Sequence, residues 1–99
     1  MEERVVLQRL KRFALAEIRE KGGGEAIIYR APSTLIMRRD RTPGMMVRGI
    51  SGAKYFVYMR RGKSQRLYFF GSSGEMLGAE DLIEEPEFLR SSTTLLKLR

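Results

Sequence analysis

The sequence predicts an α+β fold in which an N-terminal amphipathic helix packs on a five- or six-stranded antiparallel β-meander, followed by a short acidic C-terminal helical segment. Two observations predict this arrangement. In residues 1–21 apolar side chains recur every three or four positions, as on one face of an α-helix. Residues 25–77 contain short β-favouring runs separated by turn residues. Because a chain of 99 residues has apolar surface for only one core, we assign residues 1–99 to a single domain.

The predicted helix carries Val6, Leu10 and Phe13 on one side and charged residues on the other. This pattern is typical of a helix that covers a β-sheet, the alternative being a helix that docks on a membrane surface or a partner. Three glycines at positions 22–24 end the helix, since glycine is a poor helix former and tolerates a left-handed backbone. We therefore expect a flexible hinge before the first strand.

Residues 54–71, KYFVYMRRGKSQRLYFFG, contain two aromatic-rich runs around a short basic segment with a single glycine. We predict a β-hairpin in which Gly62 and Lys63 form a two-residue turn and glycine supplies the positive φ. The predicted register pairs Arg60 with Gln65, Tyr58 with Leu67, Phe56 with Phe69 and Tyr55 with Phe70.

Three further strands are predicted before this hairpin, at residues 25–30, 34–39 and 45–50. The loops that join them into a meander are predicted at residues 32–33, 40–44 and 51–52. Propagating the hairpin register assigns one sheet face to Ile28, Leu35, Met37, Val47, Phe56 and Phe69. The second face collects Tyr29, Ile36, Arg38, Met46, Arg48, Tyr55, Arg66, Tyr68 and Phe70. The first set is more apolar, so we expect the N-terminal helix to pack on it.

The C-terminal part of the chain has a different pattern. We predict a short sixth strand at residues 75–77 and one or two helical turns in the acidic segment 79–90, where Pro86 either breaks a helix or opens a new turn. The tail, residues 91–99, is compatible with an edge strand, with a segment exchanged between subunits, or with a frayed end.

The formal net charge of +7 is distributed unevenly along the chain. Residues 1–22 carry a net charge of +2, residues 23–74 carry +8, and residues 75–99 carry −3. Positive charge is therefore concentrated in the predicted strands, which suggests a polyanionic partner. Arginine dominates the basic residues, and its planar guanidinium group suits phosphate contacts.

The sequence contains neither histidine nor cysteine. This excludes the usual zinc sites, thiol nucleophiles and histidine acid–base catalysis. The six carboxylates between residues 75 and 87 match no calcium-loop spacing, so we expect a solvated face or an acidic segment lying against the basic sheet. We predict no metal, no cofactor and no catalytic residue, and hence a protein that is not an enzyme.

The apolar runs are too short to cross a bilayer, and the N-terminus lacks the apolar core of a secretory signal. The absence of cysteine fits a reducing compartment. We therefore expect a cytoplasmic protein with no membrane partner.

Arginine and aromatic residues share the second sheet face, a combination typical of nucleic-acid-binding surfaces. Arginine neutralises phosphate, and aromatic rings stack on unpaired bases. The basic hairpin tip would reach into a groove or lie along a backbone. We predict a small non-catalytic protein that binds DNA or RNA, the sequence not deciding between the two. The candidate binding residues are Arg38, Arg48, Tyr55, Arg60, Arg61, Lys63, Arg66, Tyr68 and Phe70.

Two alternatives remain open. Ile36, Met46 and Val57 also lie on the second predicted face, so this apolar face could instead be a second core layer or a protein-interaction surface, for example of a homodimer. The lesser alternative is a metal-independent ribonuclease that uses arginine, lysine and tyrosine side chains.

Overall fold

The structure, a computed structural model, describes residues 1–33, 46 and 50–99. Within these residues, one N-terminal helix packs on a five-stranded antiparallel sheet, which confirms the predicted α+β class. The elements are α1 (Glu3–Glu20), β1 (Glu25–Arg30), β2 (Tyr55–Arg61), β3 (Ser64–Phe70), β4 (Met76–Leu82), a 3-10 helix (Glu87–Ser91) and β5 (Thr93–Leu98). In the described ranges no helix is long and apolar enough to cross a bilayer.

The strands lie in the order β4-β3-β2-β1-β5. Because β1 pairs antiparallel with β2 on one side and with β5 on the other, both of its edges are occupied. The predicted meander, which placed two strands between β1 and β2, is therefore wrong at this point. The backbone is helical at Met46 and at Ile50, and both side chains are buried. The predicted strand at residues 34–39 lies outside the described residues.

The β2–β3 hairpin has the predicted register. Its pairs include Arg60 with Gln65, Tyr58 with Leu67, Phe56 with Phe69 and Tyr55 with Phe70. Gly62 has a φ of +60°, as the predicted two-residue turn requires. The register could be predicted because a short turn determines which residues face each other across the hairpin.

α1 packs on the sheet face that carries Val57 and Tyr68, not on the predicted face of Phe56. The fully buried Leu10 of α1 belongs to the same apolar cluster as these two residues. The prediction was wrong because β1 pairs directly with β2, so that Ile28 lies opposite Val57 and shares its face. The observed pairing places Tyr29, one residue away from Ile28, opposite Phe56, and a register shift of one residue exchanges the two faces of a strand.

The opposite face of the sheet is also covered. Phe56 and Phe69 on this face belong to a second buried cluster with Met46, Ile50 and Phe88. The rings of Phe56 and Phe88 have centroids 5.2 Å apart. Met46 thus lies on the side of Phe56, contrary to its predicted assignment, because it comes from a helical segment and not from a strand.

The acidic C-terminal segment 79–90 is extended only in its first third, residues 79–82. β4 runs beyond the predicted sixth strand, and residues 79–82 form part of it instead of a helix. The open edge of β3 offers backbone partners to this segment, and an edge strand tolerates charged side chains. Helical backbone is limited to the 3-10 helix that follows Pro86, since proline is excluded from helix interiors. The tail forms the edge strand β5, one of its three predicted states.

A tight glycine turn connects α1 to β1. Gly22, Gly23 and Gly24 have φ values of +79°, +130° and +112°, which only glycine adopts readily. A Cβ atom at Gly24 would lie 2.9 Å from the carbonyl oxygen of Arg60 on β2. The turn therefore packs closely against β2 at Gly24 and is open at Gly22 and Gly23, and it brings the end of α1 beside the β2–β3 turn.

Candidate nucleic-acid interface

The C-terminal end of α1 meets the β2–β3 turn at one end of the sheet. Nη1 of Arg61 donates a hydrogen bond to the carbonyl oxygen of Lys21, the residue that follows α1. Nε of Arg60 donates to the carbonyl oxygen of Gly62 within the turn, at 3.4 Å. Lys21, Arg60, Arg61 and Lys63 are all exposed. Cations from two segments far apart in sequence thus share one surface.

These residues line an open groove with a volume of about 790 Å³, which we call the basic groove. Its charged lining residues are Lys21, Arg60, Arg61, Lys63, Arg66 and Asp81. Five positive charges and one negative charge give this lining a net charge of +4. An excess of one sign in a concave surface concentrates counter-ions and attracts anionic ligands.

Arg66 is held in the groove by two neighbours. Its Nη1 donates to Oδ1 of Asp81 at 2.7 Å, and its Cζ lies 5.3 Å from the centre of the Tyr68 ring. The hydrogen bond to Asp81 raises the pKa of Arg66, so the guanidinium stays charged. The carboxylate of Asp81 compensates part of the charge of Arg66. The four exposed cations of the groove, Lys21, Arg60, Arg61 and Lys63, therefore dominate its electrostatic potential.

The three aromatic residues predicted to stack on bases are buried. Tyr55, Tyr68 and Phe70 expose only 7%, 5% and 3% of their surface beneath α1. Phe13 of α1 covers Tyr68 and Phe70 in edge-to-face contacts, with ring centroids 4.8 Å and 5.2 Å away. The predicted stacking platform is therefore wrong, and the alternative of a buried core layer applies to these rings, because α1 packs on this face.

The hydroxyl groups of two of these tyrosines point to carboxylates of α1. Tyr68 donates to Oε2 of Glu17 at 3.2 Å, and Tyr55 donates to Oε2 of Glu3 at 3.4 Å. Burial first, and then the negative charge of the nearby glutamate, raises the pKa of each phenol. These contacts attach α1 to the sheet, which is a structural role.

The structure brings five of the predicted site residues together and separates others. The basic groove contains Arg60, Arg61, Lys63 and Arg66, with the Tyr68 ring also in its lining. Tyr55 and Phe70 pair at the opposite end of the hairpin. The predicted binding residues Arg38 and Arg48 lie outside the described residues.

Sequence reasoning missed Lys21 and Asp81. Lys21 was predicted to be the last residue of the N-terminal helix, and no strand or turn was predicted to lie beside that end. The triple glycine after it was the available signal, because a tight reversal returns the next strand alongside the helix. Asp81 was expected in a helical segment, and its partner Arg66 lies opposite it only because residues 76–82 form a strand.

Acidic residues lie in β4 and in the loop that comes after it. Through Asp81 and Arg66 this segment lies partly against a basic residue of its own sheet. On the other face, burial first and then the charge of Glu85 raises the pKa values of Tyr29 and Tyr58. Among the residues that the structure describes, no group of three or more acidic side chains is arranged to hold a metal ion.

No family model matches the sequence, and comparisons with curated proteins and with solved structures find no match either. The class that the fold and the groove define is a small α+β protein with one strongly basic corner.

Proposed function

We propose that the protein binds nucleic acid without catalysis, and that the basic groove holds its phosphate groups. The observation that carries this proposal is the convergence of Lys21 with Arg60, Arg61 and Lys63 around one groove of net charge +4. Arginine and lysine side chains supply most phosphate contacts in nucleic-acid complexes. The pairing of Arg66 with Asp81 leaves the outer cations as the principal contacts.

Of the two modes predicted for the hairpin tip, contact along a phosphate backbone is favoured. β1 begins opposite Arg60 and β4 ends opposite Gln65, so the turn projects beyond its neighbours by only about two residues, or ~7 Å. The end of α1 flanks the same turn through the contact between Arg61 and Lys21. A broad corner of this kind lies on a backbone more readily than it enters a base-lined groove.

The salt dependence of binding tests this proposal. With about four phosphate contacts, the affinity should fall ~150-fold between about 50 and 200 mM salt. The measurement is fluorescence anisotropy of labelled DNA and RNA. Affinity that does not change with salt would contradict the proposal.

A pair of matched variants locates the site. The double variant Arg60→Ala/Lys63→Ala should lower the salt slope by about two. Arg4→Ala/Arg9→Ala removes the same charge from the first half of α1, where Arg9 donates to the carbonyl oxygen of Ser73 in the β3–β4 turn at the other end of the sheet. This control should change the slope much less. Equal effects of the two variants would indicate that net charge alone drives binding.

Homo-oligomerisation is the first alternative function. The sheet face that was predicted as its interface is covered by α1, and the opposite face is also covered. The exposed apolar side chains at β4 would be its surface instead: Ile83 is 98% exposed, Met76 48% and Leu77 43%. Light scattering tests it. A stable dimer that Ile83→Asp dissociates would favour this function.

The ribonuclease alternative has a simple test. We expect RNA incubated with the protein in the absence of metal ions to remain intact. Cleavage that is lost in an Arg66→Ala variant would replace the binding proposal with a catalytic one.

A further inference from the structure

The aromatic side chains of this protein are all occupied within the fold. The chain has four tyrosines, five phenylalanines and neither tryptophan nor histidine, and all nine rings belong to described residues. Eight of them expose at most 8% of their surface. The ninth, Phe13, packs edge-on against Tyr68 and Phe70. Phe13 is partly exposed, and none of the nine rings is fully exposed for a base to stack on.

This arrangement is unfavourable for single strands. Proteins that hold unpaired bases gain about 1–3 kcal/mol per base from stacking on exposed rings. Guanidinium planes also stack on bases, but one face of the Arg66 guanidinium already lies over the Tyr68 ring, with Cζ 5.3 Å from the ring centre. A single strand would therefore gain phosphate contacts in the groove and little else.

The same arrangement suits a double helix. A duplex carries one negative charge per about 1.7 Å of its axis and keeps its bases paired, so phosphate contacts do not require stacking. The hydrogen bond of Arg61 to Lys21 holds one of the outer cations in position before binding, which reduces the entropy that is lost on association. A fixed array of cations is complementary to a backbone of regular geometry.

We infer that the basic groove binds the phosphate backbone of double-helical nucleic acid in preference to single strands. This inference rests on the proposed function and adds the class of ligand to it. DNA and RNA duplexes share the chemistry that the groove recognises, so separate probes are needed to distinguish them.

The test compares five labelled probes of one sequence, each of about 20 nucleotides per strand, at about 50 mM salt. They are the DNA duplex, the RNA duplex, each separated DNA strand and the single-stranded RNA. We expect at least one duplex to bind about 10-fold more tightly than its own separated strands, with the difference reduced in Arg60→Ala/Lys63→Ala. Tight binding of only one of the two duplexes would show whether the preferred ligand is DNA or RNA.

Single strands that bind as tightly as the duplexes would overturn the duplex preference while leaving the proposed function intact. Absence of salt-dependent binding to all five probes would overturn both.

Discussion

Nη1 of Arg61 in the β2–β3 hairpin donates a hydrogen bond to the backbone carbonyl oxygen of Lys21 at the end of α1. The last carbonyl groups of a helix have no partner within the helix, and the helix dipole favours a cation at this end. One guanidinium thus connects the two segments that form the basic groove. Under the proposed function, replacing Arg61 should therefore affect both binding and stability.

Replacing Arg61 or Lys63 by alanine, in separate variants, should distinguish a role in binding from a role in stability. Arg61→Ala should lower the free energy of unfolding by about 1 kcal/mol, because it removes a charged hydrogen-bond donor, and should also weaken nucleic-acid binding. Lys63→Ala, in an exposed turn, should weaken binding and change stability by less than about 0.5 kcal/mol. Urea denaturation and anisotropy measure both quantities. Equal loss of stability in the two variants would argue against the role of Arg61 in attaching α1.

Removal of the one groove carboxylate should strengthen binding. Asp81→Asn leaves the side chain nearly the same size and raises the net charge of the basic groove by one, so affinity at low salt should increase about 3- to 10-fold. The Asp81 side chain is 81% exposed, and its ion pair with Arg66 should contribute less than about 1 kcal/mol to stability. Glu87→Gln, outside the groove, is the matched control. An unchanged or weaker affinity of Asp81→Asn would show that the groove is not the site.

The turn at residues 22–24 should tolerate alanine at position 22 better than at position 24. Gly24→Ala combines a φ of +112° with a Cβ contact of 2.9 Å to the backbone of Arg60, so we expect a loss of about 2–3 kcal/mol in the free energy of unfolding. Gly22→Ala has a φ of +79° and no atom within 4 Å, and should cost about 1 kcal/mol. Equilibrium unfolding in urea gives both values. Similar losses for the two variants would mean that the close approach at Gly24 is unimportant.

Stability should decrease at alkaline pH because of the buried tyrosines. Burial, followed by the charge of Glu85, raises the folded-state pKa of Tyr29 above its usual value near 10. As pH rises, the unfolded chain therefore loses the Tyr29 proton before the folded protein does. The contribution of Tyr29 to the free energy of unfolding is fully present below pH ~10 and is lost as pH rises through the folded-state pKa. In Tyr29→Phe, stability above pH ~10 should fall less steeply, by up to about 1.4 kcal/mol per pH unit. Parallel stability curves from urea denaturation of the two proteins would contradict the shift.

Several parts of this fold could be predicted from neighbouring residues. The register from Tyr55–Phe70 to Arg60–Gln65 followed from one glycine in a two-residue turn, and α1 followed from the spacing of Val6, Leu10 and Phe13. The basic residues of the hairpin tip were also predicted as a group. Each of these features depends on residues that are close together in the chain, where the geometry of a turn or a helix leaves few choices.

Predictions that depended on distant contacts were wrong. Residues 79–82 have a composition suited to a helix, yet they form part of β4 because β3 presents an open edge to them. Tyr68 and Phe70 were proposed as a stacking surface, with burial as the alternative, and Phe13 covers both. A pattern of alternating residues defines two faces of a sheet but not which face the helix will cover, since both faces here are apolar.

By itself the sequence determined the α+β class, the amphipathic helix, the hairpin register and the concentration of positive charge in residues 23–74. The tertiary structure alone decided that the aromatic rings are buried and that Lys21 joins Arg60, Arg61 and Lys63 around one groove. The physical reason is that turn geometry and helical periodicity act over a few residues. The packing of α1 on the sheet and the pairing of β1 with β2 and β5 depend instead on the whole chain at once.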